Sequence, residues 1–243
     1  MTAPALARLD AVLRRPGARR VVWLLCLLPL LGWVVRGSTG WAGGLGVNPA
    51  ETLLRGTGDW TLNLLLAGLA LTPLRRLSGL NGPMRWRRTV GLWAFAYALL
   101  HALAYAWLDM GLDPTAIVRD LGKRPFALIG FLAFVLLLPL ALTSTDRAMR
   151  ALGGRRWQRL HRLVYLIAPL GLLHLAWMRA SKGRLAEIAP EVLALLLLLG
   201  LRWWRHPAPL SLDLLFGFPS RSHPIRSGCD KVGKFVDTIF RHP

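Results

Sequence analysis

Apolar residues run through this chain in six long blocks, centred on 21–35, 60–74, 90–108, 126–143, 162–178 and 189–204, separated by short stretches rich in arginine. About 20 mostly apolar residues are needed for a helix to cross a hydrocarbon core roughly 30 Å thick. Six blocks of nearly that length predict an all-α membrane protein, a bundle of six transmembrane helices. The first two blocks are short and contain Pro29 and Pro73, which loosens their boundaries.

The charges between the blocks give an orientation, because Lys and Arg are retained on the cytoplasmic side of short loops. Arg8, Arg14, Arg15, Arg19 and Arg20 precede the first block, whereas only Arg36 and Arg55 lie between the first and second. The next loop is basic, with Arg75, Arg76, Arg85, Arg87 and Arg88. In the one after it, Arg119, Lys123 and Arg124 are balanced by Asp109, Asp113 and Asp120, and then Arg147, Arg150, Arg155, Arg156 and Arg159 restore the excess. This alternation predicts both termini in the cytoplasm. The loop after the fifth block fits least well, since Arg179, Lys182 and Arg184 stand where few cations are expected.

Composition agrees with a membrane protein in a bilayer. Of 243 residues 54% are hydrophobic and 18% charged, with 31 Lys+Arg against 12 Asp+Glu. A soluble nucleic-acid binder could share the net charge of +19, but it would not interleave that charge with apolar runs such as Leu195 to Leu199, so no nucleic acid is expected. Cys26 and Cys229 form no metal-ligand spacing and no disulfide framework. No small-x-small cleavage site closes the first block before Gly32, so it reads as an uncleaved span behind a basic cytoplasmic segment, 1–20. Residues 21–204 then form the membrane domain, and 205–243, rich in Pro, Ser and Gly, read as a largely disordered cytoplasmic tail. Those 39 residues are too few for a flavin or nicotinamide domain, so any reductant arrives from another molecule or from the membrane.

His101, His161 and His174 lie in or at the edge of the blocks. Ionisable side chains at membrane depth are costly and point to function by default, and neutral imidazole is a strong axial ligand for haem iron. Depth selects the pair. His101 lies 13 residues beyond Arg88 and His174 lies 12 beyond Arg162. At about 1.5 Å per residue, both are roughly 18–20 Å across on helices running the same way, in the outer half. His161, between Arg159 and Arg162, belongs near the cytoplasmic interface, where Arg87 and Arg88 rather than a histidine stand opposite. It is a secondary candidate, and the 13 residues from His161 to His174 put the two on different helix faces unless Pro169 redirects the helix. The competing reading is structural: a membrane histidine can hydrogen-bond a neighbouring hydroxyl or carbonyl and merely join helices. Most of the tryptophans fall near block ends, where interfacial belts account for them, and the positive-inside rule accounts for Arg155, Arg156, Arg159 and Arg162 without a bound anion.

Five motifs carry a resemblance: LTPLRR at 71–76, RRTVGLWAFAYALLH at 87–101, KRPF at 123–126, PLALTS at 139–144 and WQRLHRLVY at 157–165, followed by His174. Together, over roughly residues 20–204, they resemble the MsrQ (YedZ) family of haem-binding membrane subunits, within the ferric-reductase-like transmembrane group. The resemblance implies one b-type haem, with His101, His161 and His174 as the family's haem histidines, and a flavin mononucleotide (FMN). It further implies a bacterial inner-membrane location and electron delivery to MsrP, a periplasmic molybdenum-containing methionine sulfoxide reductase that repairs oxidised proteins. The donor would be a cytoplasmic flavin reductase or quinone, and sulfoxide reduction itself would belong to the partner.

The sequence therefore reads as an electron-transfer subunit with His101 and His174 as the axial ligands of a haem iron. Two other classes stay open: a proton or ion transporter using the histidines as a relay, and a cofactor-free membrane anchor.

Overall fold

The computed structural model describes residues 3–204, and within them every regular element is a helix. The tail expected over 205–243, and Cys229 with it, lie outside the described residues. In chain order the helices are α1 (Ala3–Leu13), α2 (Pro16–Thr39), α3 (Pro49–Ser78), α4 (Arg87–Ala104), α5 (Pro114–Lys123), α6 (Pro125–Leu142), α7 (Asp146–Leu152), α8 (Gly154–His161), α9 (Val164–Ala180) and α10 (Ala189–Trp204). A helix covers each of the six apolar blocks.

Local sequence sets where they start. Pro16, Pro49, Pro114 and Pro125 each open a helix, where a fixed φ is pre-organised and a missing N–H costs nothing. Asn48 and Asp113 add side-chain caps to the N–H groups of Glu51 and Thr115. Pro125 also forces Arg124 into an extended conformation, ending α5 and fixing where α6 begins. At its far end α4 passes into a π-helical turn, Tyr105–Asp109, four residues beyond His101.

Four helical stretches, Pro16–Thr39, Gly82–Asp109, Pro125–Leu142 and Gly154–Ala180, are long and apolar enough to cross a membrane. The protein is an integral membrane protein, all-helical among the described residues. In α3, Thr61, Asn63 and Thr72 interrupt the apolar run and Arg75 and Arg76 end it, whereas α10 has 16 residues. Exposure also fits a bilayer. Leu24 is 56% exposed and Val34 66%, on a helix whose only buried side chain is Cys26. Such a surface is a liability in water but a match for lipid chains, so packing rather than water exclusion holds the helices together.

Two buried clusters do that packing. One joins Val90, Trp93, Ala94, Tyr97 and Ala98 of α4 to Leu64 and Leu65 of α3, Ala133 and Leu137 of α6 and Ile167 of α9. The other joins Leu62, Leu66 and Leu69 of α3 to Ala168 and Leu175 of α9 and Leu195 of α10. Tyr97, fully buried, donates its hydroxyl proton to the Cys26 carbonyl at 2.8 Å and so ties α2 to α4. The spacing of 90, 93/94, 97/98 and 101 is that of one helix face, so His101 continues the packed stripe of α4.

The fifth apolar block is not one continuous helix from Arg162. Helix α8 ends at His161 and α9 begins at Val164, with tight i to i+3 bonds through Arg162 and Leu163 between them. Between His161 and His174 the helix is thus interrupted at this turn, and Pro169 lies inside α9.

Candidate functional site

His101 and His174 come from different helices and face each other: their ring centroids are 6.1 Å apart and their planes cross at 79°. Each ring is anchored on a third and fourth helix. His101 Nδ1 lies 2.8 Å from the Leu54 carbonyl on α3, and His174 Nδ1 lies 2.7 Å from the Phe126 carbonyl on α6. A carbonyl only accepts, so both Nδ1 atoms carry the proton and both Nε2 atoms keep their lone pairs. Buried Thr57 sits 3.5 Å from His101 Nδ1 while donating to the Leu53 carbonyl at 2.7 Å, and the Phe126 ring lies beside His174 with centroids 6.1 Å apart.

Each imidazole also lies against a glycine. A Cβ at Gly58 of α3 would stand 3.1 Å from His101 Cε1, and a Cβ at Gly130 of α6 would stand 2.7 Å from His174 Nδ1. Neither glycine was singled out from the sequence, where nothing distinguishes them from other helical glycines.

His161 has different company. Its Nδ1 bonds the Trp157 carbonyl one turn back at 3.0 Å, and its Nε2 is 3.4 Å from Ser144 Oγ at the end of α6. Its ring stacks on Trp157 at 3.8 Å, and Trp157 in turn donates Nε1–H to the Thr143 carbonyl at 2.9 Å. These contacts tie α8 to the PLALTS segment.

The three cations that fit the charge alternation least well are matched by acids. Arg179 bonds Glu187 at 2.7 Å and both carboxylate oxygens of Asp59 at 3.4 Å, Lys182 bonds Glu51 at 2.9 Å, and Arg184 pairs with Glu187. Glu51 is also held by Arg55, and Lys182 and Arg55 draw its carboxyl below the ordinary carboxylate range. The network closes the start of α3 against the end of α9.

Residues 57–172 match the family model described as ferric reductase like transmembrane component, a segment that contains His101 and His161 and stops two residues before His174. Proteins named protein-methionine-sulfoxide reductase heme-binding subunit MsrQ are similar over most of the chain. The one from Polaromonas naphthalenivorans (strain CJ2) is 50% identical over 194 residues, which is 80% of this chain and 87% of that protein. The chain belongs to the MsrQ family. The MsrQ of Ralstonia nicotianae is 52% identical over 187 residues, covering 76% of this chain and 85% of its own, and that of Bordetella pertussis is 47% identical over 208 residues, covering 84% and 95%. No solved structure matches.

Proposed function

We propose that this chain is the haem-binding, electron-carrying membrane subunit of a methionine sulfoxide reductase system, with His101 and His174 as the two axial ligands of one b-type haem. The distance between the rings carries this reading. The ring centroids of His101 and His174 lie 6.1 Å apart, and since a metal–imidazole bond is about 2 Å long, both residues would be within reach of a single metal ion between them. The Nδ1–H bonds to the Leu54 and Phe126 carbonyls are the outer contacts that orient a ligating imidazole and raise its basicity. Among the described residues no group of three or more His, Cys, Asp or Glu side chains could hold a bare metal ion. Two facing imidazoles suit instead a metal whose other four positions a macrocycle supplies.

When bound, the haem would supply one-electron chemistry at its iron. The chain's own part is to hold two neutral imidazoles opposed in the outer half of the membrane and to exclude water with the buried residues around Tyr97 and Leu175. His161 takes a secondary role near the cytoplasmic face. Six membrane crossings, with α3 and α10 added to the four apolar stretches and both termini cytoplasmic, complete the arrangement in the bacterial inner membrane. Electrons would pass from a cytoplasmic flavin reductase or quinone to the periplasmic molybdenum enzyme MsrP. Among the described residues no side-chain arrangement singles out a site for the FMN that the resemblance implies.

The test is the visible spectrum of the purified protein with and without dithionite, for the wild type and three variants. His101→Ala and His174→Ala should each lose haem or turn high-spin, and His161→Ala should stay low-spin. A colourless wild type would favour the transporter or anchor reading. Loss of haem in His161→Ala with retention in His174→Ala would overturn the ligand assignment.

A further inference from the structure

The two histidine anchors are built alike on two different helices. His101 bonds the carbonyl of Leu54 and lies on Gly58; His174 bonds the carbonyl of Phe126 and lies on Gly130. In both cases the glycine is four residues after the carbonyl, on the same helix, α3 or α6. That spacing has a physical meaning. In an α-helix the carbonyl of residue i already accepts the N–H of residue i+4, and an incoming donor must use its remaining lone pair. Helical side chains lean toward the N-terminus and cover the turn before their own Cα, so the side chain of residue i+4 screens the carbonyl of residue i. A glycine there leaves the carbonyl open to a ring from a neighbouring helix.

We infer that Gly58 and Gly130 are positioning residues of the histidine pair: by lacking a Cβ they let His101 and His174 reach the Leu54 and Phe126 carbonyls, which fixes each ring's orientation and keeps the proton on Nδ1 and the lone pair on Nε2. Intrinsic helix preference argues against glycine at these places, since it is less favourable than alanine in a helix interior. Close approach of the ring is the gain that offsets it. The two glycines are not equally strict. A methyl at position 130 would sit 2.7, 2.8 and 3.1 Å from Nδ1, Cε1 and Cγ of His174, so the ring must move. A methyl at 58 would sit 3.1 and 3.2 Å from Cε1 and Nδ1 of His101, which a few tenths of an ångström of movement relieves. Gly91 of α4 has nothing within 4 Å of a built Cβ and serves as the reference.

This inference rests on the haem-ligand reading of the two histidines, and the experiment separates the two. Gly130→Ala, Gly58→Ala and Gly91→Ala are purified as full-length protein beside His174→Ala, and each is read by haem content, low-spin EPR signal and midpoint potential. Displacing the ring weakens the Nδ1–H bond, which makes the imidazole a poorer donor to ferric iron and moves the potential upward. Gly130→Ala should therefore show a raised potential with a shifted or partly high-spin signal, Gly58→Ala a smaller change of the same sign, and Gly91→Ala none. Alanine favours helix at all three positions, so weakening of α3 or α6 cannot produce that order. If Gly130→Ala fails to accumulate, Gly58→Ala carries the same readouts. Should His174→Ala lose its low-spin haem while Gly130→Ala and Gly58→Ala match the wild type, the glycine inference falls and the ligand reading stands. A His174→Ala protein that keeps the low-spin signal sinks the ligand reading itself.

Discussion

The imidazole planes of His101 and His174 cross at 79° while their centres stay 6.1 Å apart. Each plane is set independently, His101 by a carbonyl on α3 and His174 by a carbonyl on α6. Held on one haem iron as proposed, imidazoles crossed in this way would leave the two iron d orbitals that interact with them almost equal in energy. The oxidised protein should accordingly give the strongly anisotropic low-spin EPR signal of crossed ligands. A rhombic signal typical of parallel rings would mean that one ring turns when haem binds.

Orientation is the second expectation. Reporter fusions at Gly46 and Leu121 should be active only with a reporter that works in the periplasm, and a fusion near Leu80 should behave as cytoplasmic. Arg179, Lys182 and Arg184, the cations that fit this orientation least well, are ion-paired with Asp59, Glu51 and Glu187, and because acidic partners count little in the retention of Lys and Arg, the fusions are the deciding measurement. The reverse pattern of fusion activity would invert the direction of electron flow.

Much of this was legible in the sequence, for identifiable reasons. Apolar block length is set by bilayer thickness, so all six blocks fall on helices. Counting residues inward from Arg88 and Arg162 puts His101 and His174 at nearly one depth, because helical rise is constant, and their rings lie 6.1 Å apart. What was not legible depends on which helix lies beside which. The carbonyls of Leu54 and Phe126 leave no mark in composition, and Gly58 and Gly130 look like any other helical glycine until α3 and α6 are placed against the histidines. The turn at Arg162–Leu163 was missed because its residues suit a continuous helix; only the docking of α8 through His161 and Trp157 on the end of α6 makes it visible.

The network at the start of α3 should be a source of stability. The Arg179 side chain is only 12% exposed and serves both Asp59 and Glu187. Replacing it with Met leaves Asp59 without this cation and Glu187 with Arg184 alone, and because Asp59 stays 39% exposed the cost should be about 1–3 kcal/mol, below that of a fully buried pair. Thermal unfolding in detergent should show Arg179→Met clearly destabilised and the Arg179→Met/Asp59→Asn double variant less so than the sum of the singles. Strict additivity would show that Arg179 and Asp59 do not interact.

Asp10 of α1 accepts the backbone N–H groups of Asn81 and Gly82 at 2.7 and 2.6 Å, and Arg85 donates to the Arg14 carbonyl at 2.9 Å, so α1 is latched to the loop after α3. The Gly82 N–H, with Arg14 and Asn81 contributing, holds the Asp10 carboxyl below its ordinary range. A lowered carboxylate pKa favours the latched state wherever the free group would also be ionised. The contribution is therefore fully present above the unlatched value of about 3.9 and is lost as pH falls through the lowered latched value. Between pH 5 and 8 the protection of α1 amides against hydrogen exchange should not depend on the Asp10 carboxyl's titration. Asp10→Ala should abolish most of that protection at pH 7, because no carboxylate remains to accept the two N–H groups, while Asp10→Asn, which keeps one acceptor oxygen without the charge, should retain part of it. Equal protection in all three proteins would show that apolar contacts hold α1 in place and that the latch contributes nothing.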